Sequence, residues 1–169
     1  GQSLLEYPGQ LTATAAGSGT DTLINVRNVI GTPYDDTITG SANGNGLRGD
    51  QGNDRLYGED GTDLLTGGLG ADTLDGGAGV DYVDYFDSKS GITANLELNI
   101  GLDDGGSFDT YISIENANGS EFDDTIVGRA GEGNLLYGAG GDDTFVGEGL
   151  DNVIGGDGHD VFFGGQGSG

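Results

Sequence analysis

Between Gly49 and Asp84 an aliphatic residue returns at every ninth position, as Leu56, Leu65, Leu74 and Val83, with polar and glycine residues between. The stretch divides into four nonapeptides, GDQGNDRLY, GEDGTDLLT, GGLGADTLD and GGAGVDYVD. Each opens on Gly, carries a second Gly in fourth place (Gly52, Gly61, Gly70, Gly79) and Asp in sixth (Asp54, Asp63, Asp72, Asp81), and ends around the eighth-place aliphatic. The last three residues of a unit suit one short strand whose middle side chain points inward, and the Gly-rich six before them suit a tight turn.

The same frame extends on both sides. Residues 31–39 and 40–48 are degenerate early copies, with Asp36 and Asn45 in sixth place and Ile38 and Leu47 in eighth. Before them, Leu11 to Ala15 alternates, and in Asp21 to Ile30 the pair Ile24 and Val26 is expected to face inward from a strand. After Val83 the period breaks. Residues 92–100 alternate, which predicts a longer, half-buried strand with Ile92, Ala94, Leu96, Leu98 and Ile100 on its inner face. Asp103 to Gly106 reads as a turn, and Ile112 and Ile114 form a second inward pair.

Asp21 to Gly40 then aligns without a gap on Asp109 to Gly128, which makes the chain two copies of one plan. The second array continues as 129–137, 138–146, 147–154 and 155–163, with one insertion and one deletion, and its sixth-place residues are Asp124, Asn134, Asp143, Asn152 and Asp160. This predicts lead-in strands plus a first roll over residues 1–84, connecting longer strands over 85–118, and a second, truncated roll over 119–169. The chain stops inside a repeat, which reads as a piece cut from a longer protein.

Composition changes the picture in one respect. Only 33% of the 169 residues are hydrophobic, 38 are Gly, and 29 acidic against 5 basic residues give a formal charge of −24. Such a chain has little apolar material with which to offset the entropy of ordering, and its charge repels phosphates and anionic membranes, so cations are the expected partners. Nucleic acid and membrane insertion are excluded as functions on that ground. No Cys is present to staple the fold.

If two nonapeptides make one coil, the turn of each repeat stacks on that of the next but one. Carboxylates then come together at strand spacing, about 5 Å apart, beside several backbone carbonyls. These are hard oxygen donors, of which calcium takes six to eight; zinc or copper would want His or Cys, and the chain has one His and no Cys. Without a cation the stacked carboxylates repel, so folding is expected to depend on calcium.

In these motifs the chain resembles the RTX, or haemolysin-type, calcium-binding repeat proteins, a family of secreted bacterial toxins, proteases, lipases, epimerases and adhesins. The resemblance covers about 90 of the 169 residues. It implies an all-β parallel β-roll, a calcium-binding β-helix, here as two tandem rolls. It further implies that carbonyls in places 1, 3 and 5 join the sixth-place side chain as ligands. Carried over, that names Gly49, Gln51 and Asn53; Gly58, Asp60 and Thr62; Gly67, Leu69 and Ala71; Gly76, Ala78 and Val80; Gly138, Gly140 and Asp142; and Gly155, Asp157 and His159. Type I secretion and folding on meeting external calcium follow from the resemblance too. The chain departs from the pattern at Asn45, Asn134 and Asn152, and at Tyr34, Asn43, Phe122, Glu132 and Leu150 in fourth place.

Seven turn pairs suggest roughly seven ions, which would bring the charge to about −10. The GxGxxG match at Gly44 to Gly49 lies inside the repeat frame and is set aside as a nucleotide loop, and His159 reads as a solvated turn residue. Tyr57, Tyr82, Tyr85 and Phe86 read as rim and strand packing, with a sugar-binding surface as the alternative. No hydrolase motif occurs, so this piece is expected to be a non-enzymatic, monomeric calcium-binding module that stabilises a secreted protein. Alternatives are an accessory module of a secreted alginate epimerase, protease or lipase, and a stalk or ligand-binding segment of an adhesin. A polysaccharide or host surface would be met through the parent protein.

Overall fold

The computed structural model describes residues 12–14, 27–147 and 150–164; Ile24 and Val26 lie outside them. Short strands dominate, and no helix occurs among the described residues. One sheet stacks eight strands, Thr12–Thr14, Asn28–Ile30, Gly46–Gln51, Leu64–Leu69, Tyr82–Asp84, Asn116–Asn118, Leu135–Gly140 and Asn152–Asp157, in that order and all parallel. The other has nine: Thr37–Thr39, Arg55–Tyr57, Thr73–Asp75, Phe108–Ile112, Ile100–Leu102, Thr93–Asn95, Thr125–Val127, Thr144–Gly147 and Val161–Gly164. The fold is the parallel β-roll that the repeats imply.

Register follows from the nine-residue period. Leu47 lies opposite Leu65, and Leu56 opposite Leu74, so each nonapeptide supplies one strand and two close a coil. Only the middle residue of each strand faces the other sheet, which is why one aliphatic per repeat suffices. Leu47, Leu56, Leu65, Leu74 and Val83 are all 1% exposed or less, and Ala117, Ile126, Leu136 and Phe145 carry the columns onward. Each buried Leu, Ile, Val or Phe contributes about 1.5–3 kcal/mol by leaving water, and the core is two facing columns, one residue per strand. Phe145 stacks on Phe162 at 5.2 Å near the end of one column.

The segment after Val83 is built into the roll. In one sheet Tyr82–Asp84 pairs directly with Asn116–Asn118, so that sheet runs through both arrays without a break. In the other, Ile100–Leu102 runs antiparallel to Thr93–Asn95 and to Phe108–Ile112, while the outer two are parallel to the strands they meet. The single strand expected over 92–100 is therefore broken. Ile92, Ala94 and Leu96 do face inward, but Leu98 is 64% exposed in a reversal of the chain. The cause is local: Asn95 Oδ1 accepts the Leu98 amide at 2.8 Å, and Asn99 takes a positive φ that Asn tolerates. Arg129 fastens the reversal through the Leu96 carbonyl and Asn99 Oδ1.

The turn over 103–106 is present, closed by the Gly106 amide on the Asp103 carbonyl. Ile112 is a correction. Asp109 and Tyr111 take the inward positions of Phe108–Ile112, which leaves Ile112 exposed, and the positive φ of Ser113 resets the alternation so that Ile114 is buried again. Tyr85, expected at a rim, is buried too. Its hydroxyl donates to Asp109 Oδ2 at 2.6 Å and lies 2.6 Å from the Tyr111 hydroxyl. Gly101 is required beside this pair, because a Cβ there would fall on both phenol oxygens.

Candidate metal centre

The sixth-place side chains form a ladder along each edge of the roll. The amide of Asp36 donates to Asp54 Oδ1 at 2.7 Å, that of Asp54 to Asp72 Oδ1 at 2.7 Å, that of Asn45 to Asp63 Oδ1 at 2.6 Å, and that of Asp63 to Asp81 Oδ1 at 2.8 Å. In the second array Asp124 donates to Asp143 Oδ1 and Asp143 to Asp160 Oδ1. One carboxylate oxygen of each residue thus holds the coil before it. The other is the notable atom: Oδ2 of Asp54, Asp63, Asp72, Asp81, Asp143 and Asp151 is buried with no hydrogen-bond partner among the described residues.

What faces these oxygens is more oxygen. A Cβ on Gly49 would fall on Asp54 Oδ2 and lie 2.6 Å from the Gly67 carbonyl oxygen; at Gly58 the same space is bounded by Asp63 Oδ2 and the Gly76 oxygen, and at Gly138 by Asp143 Oδ2 and the Gly155 oxygen. First-place Gly is therefore needed because a carboxylate and the next coil's carbonyl converge over its Cα. Two acceptors sharing a buried space without a donor repel each other, and a cation is what relieves them. Among the described residues no three His, Cys, Asp or Glu side chains gather as a metal site, so a cation here would rely heavily on backbone oxygens. That donor set suits a hard ion such as calcium.

Second place decides whether Oδ2 is left open. Asp50, Glu59, Gly68, Gly77, Ala139 and Gly156 all have positive φ. Thr32, Ser41, Ser120 and Arg129 stand in that place without it, and their amides donate to the sixth-place side chain of their own repeat: Thr32 to Asp36 Oδ2, Ser41 to Asn45 Oδ1, Ser120 to Asp124 Oδ2 and Arg129 to Asn134 Oδ1. The first two repeats of each array thus quench the oxygen that later repeats leave open. The Asn residues fit this, since Asn45 Nδ2 donates to the Arg27 carbonyl and Asn134 Nδ2 to that of Glu115.

Asn152 is a correction. Asp151 takes the sixth-place position of that repeat, accepting the Asn134 amide at 2.9 Å and leaving Oδ2 buried and unpartnered, while Asn152 pairs with Leu135 in the strand. The missing residue lies in the turn before Asp151. Of the carbonyl positions, those of Gly58, Gly67, Gly76, Gly138 and Gly155 stand over the first-place glycine of the coil before, and that of Gly49 over Gly31. The Leu69 carbonyl accepts the Gly52 amide at 3.0 Å.

A second ladder escapes sequence reasoning. Asp35 Oδ1 accepts the Asn53 amide and Asn53 Oδ1 the Ala71 amide; Asp123 serves Asp142, and Asp142 serves His159, all at 2.8–2.9 Å. These fifth-place residues bond down the roll where the sixth-place ones bond up it. The legible signal was Asx in fifth place in alternate repeats only.

Burial raises the carboxylates in the absence of a cation. Asp54, Asp81 and Asp143 are pushed up to about 6 and Asp72 to about 7, from an ordinary 3.8, with neighbouring carboxylates adding to the shift and a backbone amide opposing it. Asp63 and Asp124 are raised for the same first reason.

The model of the RTX calcium-binding nonapeptide repeat matches in four copies, over residues 28–56, 48–83, 118–154 and 137–169. No curated protein matches the chain. Among solved structures, the extracellular lipase LipA from Serratia marcescens is 19% identical, over 85% of this chain and 28% of its own, with a TM-score of 0.29. The chain thus spans less than a third of that protein's length.

Proposed function

Because the chain belongs to the family of RTX calcium-binding nonapeptide repeats, we propose that it is a calcium-dependent folding module whose roll forms when cations neutralise the stacked turns, and that it stabilises a secreted bacterial protein. The observation that carries this reading is the set of six buried carboxylate oxygens without a partner. Calcium, when bound, supplies positive charge to buried acceptors that have no proton donor. Asp54, Asp63 and Asp143 would then hold the previous coil through Oδ1 and offer Oδ2 to the ion, with the first-place carbonyl of the next coil beside it. Carbonyls in third and fifth place, Gln51, Asn53, Asp60, Thr62, Leu69, Ala71, Ala78, Val80, Gly140, Asp142, Asp157 and His159, would supply the remaining donors.

The ions are not equivalent in this reading. Turn pairs that begin at Gly49, Gly58 and Gly138, together with the turn of Asp151, hold the stronger sites, while those of Asp36, Asn45 and Asp124 already receive a backbone proton and hold weaker ones. That keeps the total near seven, with about four filling first. Residues 1–84, 85–118 and 119–169 serve as first roll with its lead-in, connecting segment and second roll. The RTX repeat is a structural module, so any catalytic activity belongs to other parts of a parent protein.

Circular dichroism of the purified chain at neutral pH tests the proposal. Chelator should leave the spectrum disordered and millimolar calcium should restore β structure, whereas an unchanged β spectrum in chelator would overturn it.

A further inference from the structure

The two edges of the roll cross the connecting segment differently. On one edge, Asp109 stands in for a sixth-place Asp: its Oδ1 accepts the Asp72 amide at 3.0 Å, and its Oδ2 receives the Tyr85 hydroxyl. A phenol proton thus satisfies Asp109 Oδ2, while Asp72 Oδ2 on the same edge stays buried without a partner among the described residues. At Gly67 a Cβ would meet Asp72 atoms but no carbonyl of a following coil among its three nearest neighbours.

The other edge has no such donor. The Asp81 amide donates to Glu115 Oε2 at 2.8 Å, so Glu115 takes the ladder position. Asp81 Oδ2 is buried and unpartnered, and Asp81 is 0% exposed. Over Gly76, a Cβ would fall on the Ser113 carbonyl oxygen and lie 2.6 Å from Asp81 Oδ2, the arrangement found in the repeats with Ser113 in the place of a first-place Gly. In a nonapeptide, four residues separate that Gly from its Asp; here only Ile114 separates Ser113 from Glu115. The extra methylene of Glu spans part of the distance that the missing turn would have covered, and the positive φ of Ser113 re-aims the backbone after Ile112.

We propose that Asp81, the Ser113 carbonyl and Glu115 form a further calcium site that joins the two arrays, built from the last sixth-place Asp of the first array and two residues outside the repeat motif. It rests on the reading of the repeats as calcium-bound. Its donors are one buried carboxylate oxygen, one carbonyl and the free oxygen of Glu115, with water completing the shell, since Ser113 is exposed and Glu115 only partly buried. The site ties the end of the first array to the start of the second, because the Glu115 carbonyl also accepts Asn134 Nδ2 at 2.6 Å.

Native mass spectrometry at limiting calcium, comparing the chain with Glu115→Gln, tests this, because Gln keeps an acceptor for the Asp81 amide while losing the charge. The variant should carry one ion fewer; an unchanged count overturns the junction site. Should the variant fail to fold, a crystal of the native chain grown with calcium decides. Density for an ion between Asp81 Oδ2, the Ser113 oxygen and Glu115 supports the site. Ions throughout the repeats with none at this place overturn it and leave the repeat reading standing, and no ion anywhere overturns both.

Discussion

The main-chain oxygen of Asp50 occupies the space that a side chain at Gly68 would need. Both residues stand in second place of their repeats with positive φ, one coil apart. Asp50 stands one coil after Thr32, which lacks that conformation, and carries a side chain at this place. The rule recurs, as Glu59 precedes Gly77 and Ala139 precedes Gly156. Glycine is compulsory only from the second left-handed coil onward.

Gly68→Ala should therefore be among the most damaging single changes in the turns, combining a left-handed Ala with a backbone collision, at a cost of about 1–3 kcal/mol or more. Ala139→Gly should do the opposite and raise stability by a few tenths to about 1 kcal/mol, since Gly takes that φ without strain. Thermal melts in saturating calcium check both, with the melting temperature falling in the first and rising in the second.

The pH dependence has a definite sign. In the metal-free roll Asp54, Asp81 and Asp143 titrate near 6 and Asp72 near 7, against 3.8 when unfolded, chiefly because burial disfavours their charge. Between those values the folded chain holds more protons than the unfolded one. Their stabilisation is thus complete below about pH 4 and lost as the pH rises through 6 to 7. Chelated protein should show β structure near pH 4 and lose it by pH 8. Since protons and calcium relieve the same oxygens, less calcium is needed to fold the chain at the lower pH, and the calcium midpoint of folding should rise as pH rises from 5.5 to 7.5. Calcium titrations followed by circular dichroism at the two pH values decide it.

Tyr85→Phe removes the proton that, among the described residues, reaches Asp109 Oδ2 and leaves a fully buried carboxylate half-satisfied. The expected loss is about 1–3 kcal/mol. Because this joint uses a phenol in place of a cation, added calcium should not recover it. A melting-temperature deficit that persists at saturating calcium is the result to look for; full recovery would mean that a cation can replace the hydroxyl.

The repeats, the coil of two nonapeptides and the sixth-place ladder were legible because each depends on a period that the sequence displays directly. Leu98 and Ile112 were not, since a single positive φ, at Asn99 and at Ser113, breaks an alternation that reads on unchanged in the letters. Asp151 was missed for a related reason: the residues alone do not say where in the turn the deletion falls, and only the pairing of Asn152 with Leu135 fixes it. The second-place switch was hidden because Asp50, Glu59 and Ala139 take a glycine conformation without being glycine.

That switch yields the sharpest contrast between two carboxylates. Asp36 Oδ2 already receives the Thr32 amide at 2.6 Å and its hydroxyl at 2.8 Å, whereas Asp63 Oδ2 has no donor and faces the Gly76 oxygen. An amide in place of Asp36 keeps an oxygen for Thr32, as Asn45 does for Ser41 and Asn134 for Arg129. An amide in place of Asp63 must use its one oxygen either for the Asn45 amide or for the cation, and its nitrogen cannot ligate. Asp63→Asn should therefore raise the calcium midpoint of folding by about tenfold, while Asp36→Asn should shift it by less than about twofold. Calcium titrations of the two isosteric variants measure this directly. Equal shifts would mean that the second-place amide does not govern which sixth-place oxygens are open to the ion.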